Sequence, residues 1–308
     1  MPALLPPKRL LQGAVLLALL LALLLVTRQL QFVQRSWYQA IEWWNVSEWR
    51  DRSIWLPDYV ASQQAMPIAG IDNNLSGLAY DPSRNSLFAI TNKSPHVIEL
   101  TLDGRVLRQI PLIGFRDPEA IVYISPGKFL IADEREHRLL EVRLTDDTPR
   151  IDAADAKQLS IGIGLNGNKG FEGLAYDPGN NRVFVAKERD PVRILEVRGF
   201  PQSDPSQPLA VHVDGNPQHN ALLFVRDLSS LHYDESHGHL LAVSDESRVL
   251  LELGVDGKPI SHLSLRGGQH GLKDDVPQAE GMTMDTAGNL YIVSEPNLFY
   301  VFKKNPRK

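Results

Sequence analysis

The 308-residue chain contains no cysteine, which excludes disulfides, cysteine-ligated zinc and a thiol nucleophile. It also lacks a Gly-x-Ser-x-Gly motif, and its glycine-rich stretch at 162–170 has no lysine followed by serine or threonine, as a phosphate-binding loop requires. Basic residues (32) and acidic residues (37) are nearly balanced and mixed along the chain, so no nucleic-acid partner is predicted. Motifs of this kind therefore assign no catalytic residue.

Charge is absent from one long run near the amino end. Residues Leu10 to Val26 form 17 consecutive uncharged and mostly aliphatic positions, with Lys8 and Arg9 before them. This pattern predicts a transmembrane helix at about 10–26 within an anchor at 1–35. Because 26–29 offers no small-x-small cleavage site, it favours an uncleaved anchor over a signal peptide. The flanking bases predict a single pass through a bacterial inner membrane, with the rest of the chain in the periplasm.

Tryptophan is confined to one stretch. All five tryptophans lie between Trp37 and Trp55, within a juxtamembrane segment at 36–56. Two interpretations remain open for this segment. The rings can settle at the level of lipid headgroups, or a juxtamembrane helix can pack them on the following domain.

One phrase recurs along the remainder, residues 57–308. Its clearest copies are Phe171-Glu172-Gly173-Leu174-Ala175-Tyr176-Asp177-Pro178 and the segment 76–82, with looser copies farther on. The five copies start at 76, 119, 172, 229 and 280, at intervals of 43 to 57 residues. Repeats of this length with short strands predict β-propeller blades.

A second phrase follows each copy of the first. It is a short apolar run, such as 87–92 or 183–188, that ends on an amide or carboxylate 15 or 16 residues after the start of the first phrase. The constant interval predicts a strand, a turn and a second strand of equal length in every unit.

The last unit is incomplete, because only 303–308 follow its third apolar run. The segment from Tyr59 to Ile68 is free to supply the missing strand. The sequence therefore predicts an all-β fold, a five-bladed β-propeller closed by an N-terminal strand and preceded by the transmembrane helix.

Polar residues recur at the two positions that meet at one mouth of the channel. The first strand of a blade starts where the antiparallel second strand ends, so both positions lie at the same end of the axis. The starts of the first strands form one ring: Ser76, Glu119, Glu172, Ser229 and Glu280. The ends of the second strands form another: Asn92, Glu134, Glu188, Asp245 and Glu295.

Seven of these ten residues are carboxylates, and like charges at short range do not all remain ionised without cations or raised pKa values. Oxygen ligands without cysteine or an aligned histidine suit Ca²⁺ or Mg²⁺ rather than zinc. The prediction is a metal held by Glu119, Glu172 and Glu280. The remaining seven positions are predicted to contact a ligand or to pair with nearby bases, and Asp117 and Asp227 are placed to add to the rings.

The phrases also resemble a known family. The Ser-Gly-Leu-Ala-Tyr and Glu-Gly-Leu-Ala-Tyr copies, 117–120, 132–135 and 278–282 are similar to the SdiA-regulated (YjiK-like) family over about 72–303. The resemblance implies a membrane-anchored five-bladed propeller, distantly similar to NHL-repeat proteins, with a calcium site and no established activity.

Two functions are compatible with these patterns. The first is a calcium-binding, envelope-facing module that binds a small molecule or a protein at the channel mouth. The alternative is a calcium-dependent hydrolase of lactones, esters or phosphate esters, because the Glu-Gly phrase also looks like that of lactonase and phytase-like propellers. Asn92 is the only asparagine in the two rings, whereas lactonases have clear channel asparagines. His270, in a glycine-rich loop, is a further candidate for a functional role.

Overall fold

Five mainly antiparallel sheets account for the chain from Tyr59 to Lys304 in the computed structural model. The structure describes residues 7–29, 32–72, 74–162, 170–202, 206, 208–254 and 256–305. In chain order the strands are β1 (Tyr59–Pro67), β2 (Leu75–Asp81), β3 (Ser86–Thr91), β4 (His96–Leu100), β5 (Val106–Ile113), β6 (Pro118–Ser125), β7 (Lys128–Asp133), β8 (Arg138–Arg143), β9 (Ile151–Asp152), β10 (Lys157–Ser160), β11 (Phe171–Asp177), β12 (Arg182–Lys187), β13 (Arg193–Arg198), β14 (His212–Asp214), β15 (Ser230–Asp234), β16 (His239–Ser244), β17 (Val249–Leu253), β18 (Pro259–Ser264), β19 (Ala279–Met284), β20 (Leu290–Ser294) and β21 (Leu298–Lys304).

Each sheet is one blade. Blade one contains β2 to β5 and blade two contains β6, β7, β8 and β10. Blade three contains β11 to β14, blade four β15 to β18, and blade five β19 to β21 with β1. The predicted five-bladed propeller is therefore confirmed.

The N-terminal strand closes the ring as predicted. Strand β1 pairs antiparallel with β21, from Tyr59 opposite Lys304 to Pro67 opposite Leu298. The partner strands thus come from opposite ends of the propeller sequence, and β21 is no longer an exposed sheet edge.

Blade one gains a fifth strand that the sequence pattern did not indicate. In the connection that follows β8, β9 pairs parallel with the outer strand β5, with Leu112 opposite Ile151. A short 3₁₀ helix (Ala153–Asp155) then leads into β10. The polar stretch 146–157 thus links blades one and two.

Apolar side chains fill the gaps between neighbouring blades. Five clusters of buried residues each combine side chains from two adjacent blades, including the gap between blades five and one. In the gap between blades one and two, for example, the ring centroids of Phe88 and Phe129 are 4.7 Å apart. The core is therefore a ring of layers around the channel, which holds the inner strands at fixed distances from the axis.

Glycines in the first phrase allow the inner strands to approach closely. A Cβ atom on Gly173 would lie 2.8 Å from the backbone nitrogen of Leu231 on β15. A Cβ atom on Gly281 would lie 2.6 Å from the carbonyl carbon of Gly77 on β2. Both distances are shorter than real Cβ contacts, so a side chain at either position would force the strands apart.

Helices α1 (Pro7–Gln29) and α2 (Phe32–Trp49) precede the propeller, and a four-residue helix α3 (Pro217–Asn220) lies between β14 and β15. No helix among the described residues is both long enough and apolar enough to cross a membrane. The uncharged run of 17 residues spans only about 25 Å as a helix, whereas the hydrocarbon core of a bilayer is about 30 Å thick. The predictions of a transmembrane segment at 10–26, and of a single-pass inner-membrane protein with a periplasmic propeller, are therefore corrected.

Helix α2 packs on blade four. Tyr38 is 2% exposed within the apolar layer between blades three and four. The Asn45 side chain donates to the backbone carbonyl of Ile260 on β18 at 3.1 Å. On the outward face of the helix, Trp43 and Trp44 are 75% and 77% exposed. The tryptophan-rich stretch thus includes both a packed face and a solvent-facing one.

Candidate functional site: a carboxylate mouth

Three glutamates of the first ring lie at β-bulges. Glu119 falls between the paired residues Pro118 and Ala120, and has no partner of its own on β7. Glu172 and Glu280 occupy the same unpaired position opposite β12 and β20. A bulge redirects the side chain of its extra residue, which explains why these three strands present a carboxylate at equivalent points.

Two groups of carboxylates meet through one shared residue. Oxygen atoms of Asp117, Glu119 and Glu134 lie within 4.8 Å of one another, and so do oxygen atoms of Glu134, Glu172 and Glu188. The structure therefore brings together residues of blades two and three from both predicted rings. We call the ten ring residues together with Asp117 the carboxylate mouth.

Burial makes ionisation of the inner glutamates unfavourable. Removal from water raises the pKa of Glu119 to about 8. Hydrogen bonds from Asn92 and Ser76 lower this pKa, whereas the charges of Asp117 and Glu134 raise it. The pKa of Glu172 is raised well above its usual value, first by burial and then by the surrounding glutamates.

Glu280 lies in neither of the two close carboxylate groups among the described residues. Burial and neighbouring negative charges nevertheless affect it as they affect Glu119 and Glu172. Burial raises its pKa to about 8, and the nearby charges of Asp245, Glu119 and Glu295 raise it further. Glu280 belongs to blade five, and the charge of Glu119 on blade two still acts on it.

Members of the second ring accept hydrogen bonds from neighbouring blades. Glu134 accepts from the Gly170 backbone nitrogen at 2.7 Å, and Asp245 accepts from the Ala279 nitrogen at 3.1 Å. Burial nevertheless raises the pKa of both carboxyls. These bonds hold the second ring against the blade that follows it.

Some ring residues pair with bases or with one another. Glu188 forms an ion pair with Arg189, although burial still raises its pKa. The Asn92 side chain donates to Glu119 at 2.7 Å. At Ser229 the hydroxyl donates to the Ala279 carbonyl at 2.6 Å, so that it joins blades four and five.

The two additional acids have different surroundings. Asp117, 9% exposed, accepts a hydrogen bond from Arg135 at 3.0 Å and still contributes an oxygen to the Glu119 group. Asp227 is 4% exposed and accepts bonds from the Ser244 hydroxyl and the Glu246 nitrogen. Asp227 therefore stabilises the turn after β16, whereas Asp117 extends the cluster.

Asn74 is a residue at this mouth that the repeat pattern missed. It is 4% exposed, and its side-chain nitrogen donates to Glu295 at 3.1 Å. Its side-chain oxygen is buried and has no hydrogen-bond partner among the described residues. The residue lies two positions before the start of the first phrase, with a positive φ of 61°. Asparagine tolerates that conformation, which was the only signal available.

His270 lies away from this cluster. Its Nδ1 atom is 3.0 Å from the backbone carbonyl oxygen of Tyr59 on β1, and burial lowers its pKa. The contact places His270 against the strand that closes the ring, where it helps to hold β1.

Solved structures similar to this chain include a regucalcin and a gluconolactonase. A calcium-binding regucalcin from Agrobacterium tumefaciens is 12% identical, with a TM-score of 0.49 over 78% of this chain and 93% of its own. A gluconolactonase from Xanthomonas campestris is 14% identical, with a TM-score of 0.47 over 79% of this chain and 96% of its own. These identities are too low for a ligand or an activity to be carried over.

A family model gives the assignment. The SdiA-regulated family matches residues 51–303, which include all five blades and the closing strand. The match covers both rings of the carboxylate mouth. The chain belongs to the SdiA-regulated family.

Proposed function

We propose that the carboxylate mouth binds a calcium ion, and that the propeller acts through it as a binding module for a small molecule or a protein. The main support is the position of Glu134, whose carboxylate belongs to two groups of three acids with oxygens within 4.8 Å. Such crowding is costly while the acids are charged, and a bound divalent cation relieves it.

The donor set fits a hard cation. Carboxylate oxygens of Glu119, Glu134 and Glu172 and an amide oxygen are the ligands that calcium prefers. The buried oxygen of Asn74, which has no partner among the described residues, adds an unsatisfied acceptor at this mouth. Glu280 completes the proposed set from blade five. A bound ion would supply positive charge and an open position for an oxygen atom of the ligand.

Residues of this chain would orient that ligand. Arg135 and Arg189 directly follow ring residues and form ion pairs at the mouth with Asp117 and Glu188. Arg135 remains 59% exposed at its side chain, so it can meet an anionic group from solvent while its partner stays in place.

Calcium-dependent hydrolysis is the second candidate, and one observation favours it. Asn74 and Asn92 place two amide groups at the mouth, where sequence alone offered one. Amide donors near a metal can hold a substrate oxygen. Activity of the purified protein on lactones, aryl esters and phosphate esters, measured with and without a chelator, would test this candidate.

Calcium itself provides the direct test of the proposal. At a hundred times its Kd, a ligand that binds only the folded state adds about 2.7 kcal/mol of stability. For a domain of this size that corresponds to roughly 5–10 °C in Tm. We expect calcium to raise the Tm of the chelator-treated protein by this amount, and Glu172→Gln to remove most of the increase.

Glu48→Gln is the matched control, because it neutralises an exposed glutamate on α2. It should keep the full response to calcium. Glu172→Gln also relieves charge repulsion, so its metal-free form should be no less stable than the metal-free parent. A parent protein whose melting is unchanged by calcium after thorough chelation would contradict the proposal.

A further inference from the structure

Four tyrosines surround a cavity at the other end of the first strands. Each is the fourth residue after a ring position of the carboxylate mouth: Tyr80, Tyr123, Tyr176 and Tyr233. Met284 occupies the same position in blade five. The cavity has a volume of about 430 Å³, which is within the range of small-molecule sites. We call this end of the channel the tyrosine mouth.

Two of these tyrosines donate hydrogen bonds from their hydroxyl groups to the hairpin turns. Tyr80 donates to Asn85 at 2.8 Å in blade one, and Tyr176 donates to Asn181 at 2.9 Å in blade three. Both asparagines have a positive φ, as the turns require. The same contact in two blades fixes the rings as walls of the cavity, with their polar ends directed away into the turns.

Aliphatic side chains form part of the lining of this cavity. Leu78, Leu174 and Leu231 line it from three blades. His232 also lines it, 3.4 Å from the Thr283 hydroxyl, and burial lowers the pKa of this histidine to about 4. The ring is therefore neutral near pH 7, where it can exchange a hydrogen bond with a ligand without repelling a cation.

Two acids at the turns beside the cavity are neutralised by arginines. Asp81 pairs with Arg84 at 3.5 Å, and Asp177 pairs with Arg182 at 2.7 Å. Neither arginine, nor any lysine, is among the described residues that line the cavity.

Three acids that line the cavity lack such a partner. Asp234, Glu235 and Asp285 form no ion pair with lysine or arginine in the described part of the chain. Asp234 contacts the His237 ring at 2.5 Å, and Asp285 accepts a hydrogen bond from Tyr291 at 2.8 Å. The lining of the cavity thus combines these three acids with aromatic and aliphatic side chains.

We propose that the tyrosine mouth binds a small organic cation with an apolar or aromatic body. Tyrosine faces attract ammonium groups, and the attraction increases when the cation is removed from water. The three lining carboxylates favour positive charge in the cavity and oppose anions. This site lies at the opposite end of the channel from the carboxylate mouth, and it does not depend on a metal.

A charge series on one aromatic body tests the proposal. Benzyltrimethylammonium, benzyl alcohol and benzenesulfonate would each be titrated into the full-length protein by calorimetry, with saturation-transfer NMR to detect weak contacts. We expect the cation to bind at least tenfold more tightly than the alcohol, and the sulfonate not to bind.

Two variants locate the binding. Glu235→Gln should weaken benzyltrimethylammonium about threefold at low salt and leave benzyl alcohol unchanged, whereas Glu48→Gln should change neither. Tyr176→Leu, checked for folding by its melting curve, should weaken the cation more than Glu235→Gln does. Equal binding of all three compounds, binding of none at 10 mM, or equal effects of the two glutamine variants would each overturn the proposal.

Discussion

The two mouths of the channel are formed by the same five strands, yet they differ in chemistry. Along β11, Glu172 lies at one mouth and Tyr176 at the other, and the intervening residues are Gly173, Leu174 and Ala175. The same phrase recurs in every blade. Its first position therefore forms an acidic mouth, and the position four residues later forms an aromatic mouth. Opposite ends of a propeller channel can therefore be assigned from two positions of one repeat.

The mouths also differ in how completely their polar groups are satisfied. At the carboxylate mouth burial raises the pKa values of Glu119 and Glu280 to about 8, and the Asn74 oxygen has no partner among the described residues. At the tyrosine mouth the hydroxyls of Tyr80 and Tyr176 are hydrogen-bonded within the protein. A ligand at the first mouth relieves an existing cost, so it should stabilise the fold more than a ligand at the second.

Gly173→Ala should disturb both mouths at once, and we expect the largest effect from it. The new Cβ atom would lie 2.8 Å from the Leu231 nitrogen and 2.9 Å from the Ser230 carbonyl carbon. Backbone atoms cannot yield without moving β15. Overpacking of this kind costs about 3 kcal/mol, or roughly 6–12 °C in Tm.

Gly162→Ala is the control for this substitution, because a Cβ atom there would meet none of the described residues within 4 Å. Thermal melting of both variants would be measured with and without calcium and benzyltrimethylammonium. The comparison separates the effect of crowding β15 from the effect of a glycine-to-alanine change alone. If Gly173→Ala melted within 2 °C of the parent, the close approach of the inner strands would be contradicted.

The sequence predicts the ring better than it predicts the mouths. Blade number and closure followed from repeated runs such as 183–188 and from the missing strand after β21, because strand length and hairpin geometry are local properties. The acidic positions could also be aligned. The bulges at Glu119 and Glu172 could not be predicted from the sequence, since a bulge depends on the register of the partner strand.

Other features depended on parts of the chain that the repeat does not include. Asn74 precedes the first phrase, and β9 comes from a polar stretch without strand periodicity. The tyrosine four residues after the ring position recurs in four copies of the phrase. The sequence pattern of a strand does not show, however, that these tyrosines line a cavity. The hydrophobicity of the run at 10–26 was evident from the sequence, but a helix must also be long enough to cross a membrane.

His232 gives the tyrosine mouth a pH dependence that the carboxylate mouth does not share. Burial lowers the folded-state pKa to about 4 from 6.5, despite the opposing charge of Asp234 on the same strand. The unfolded chain therefore takes up this proton first. Stability from this residue is fully present above about pH 6.5 and is lost as pH falls towards 4, by up to about 3 kcal/mol.

Urea unfolding of the parent and of His232→Gln between pH 4.5 and 7.5 would measure this effect. Glutamine keeps a polar group near Thr283 but does not titrate. The difference in unfolding free energy between the two proteins should therefore change with pH, while contributions from other acids and histidines cancel. Parallel curves for the two proteins would show that His232 titrates normally.

The smallest expected effect is the coupling between the mouths. Glu172 and Tyr176 are four residue steps apart on an extended strand, a distance of about 13 Å along β11. In water, a divalent ion at one end repels a monovalent cation at the other by about 0.6 kcal/mol, and screening at 0.15 M salt reduces this severalfold. Saturating calcium should thus weaken the binding of benzyltrimethylammonium by less than twofold at 0.15 M salt and by about threefold at low salt.

Calorimetric titrations at the two ionic strengths would measure the ratio of the Kd values with and without calcium. The Glu172→Gln variant should lose most of the calcium effect at both ionic strengths, because its affinity for the ion is reduced. A larger change that persists at 0.15 M salt cannot arise from charge at this distance, and it would mean that the inner strands move together when either mouth is filled.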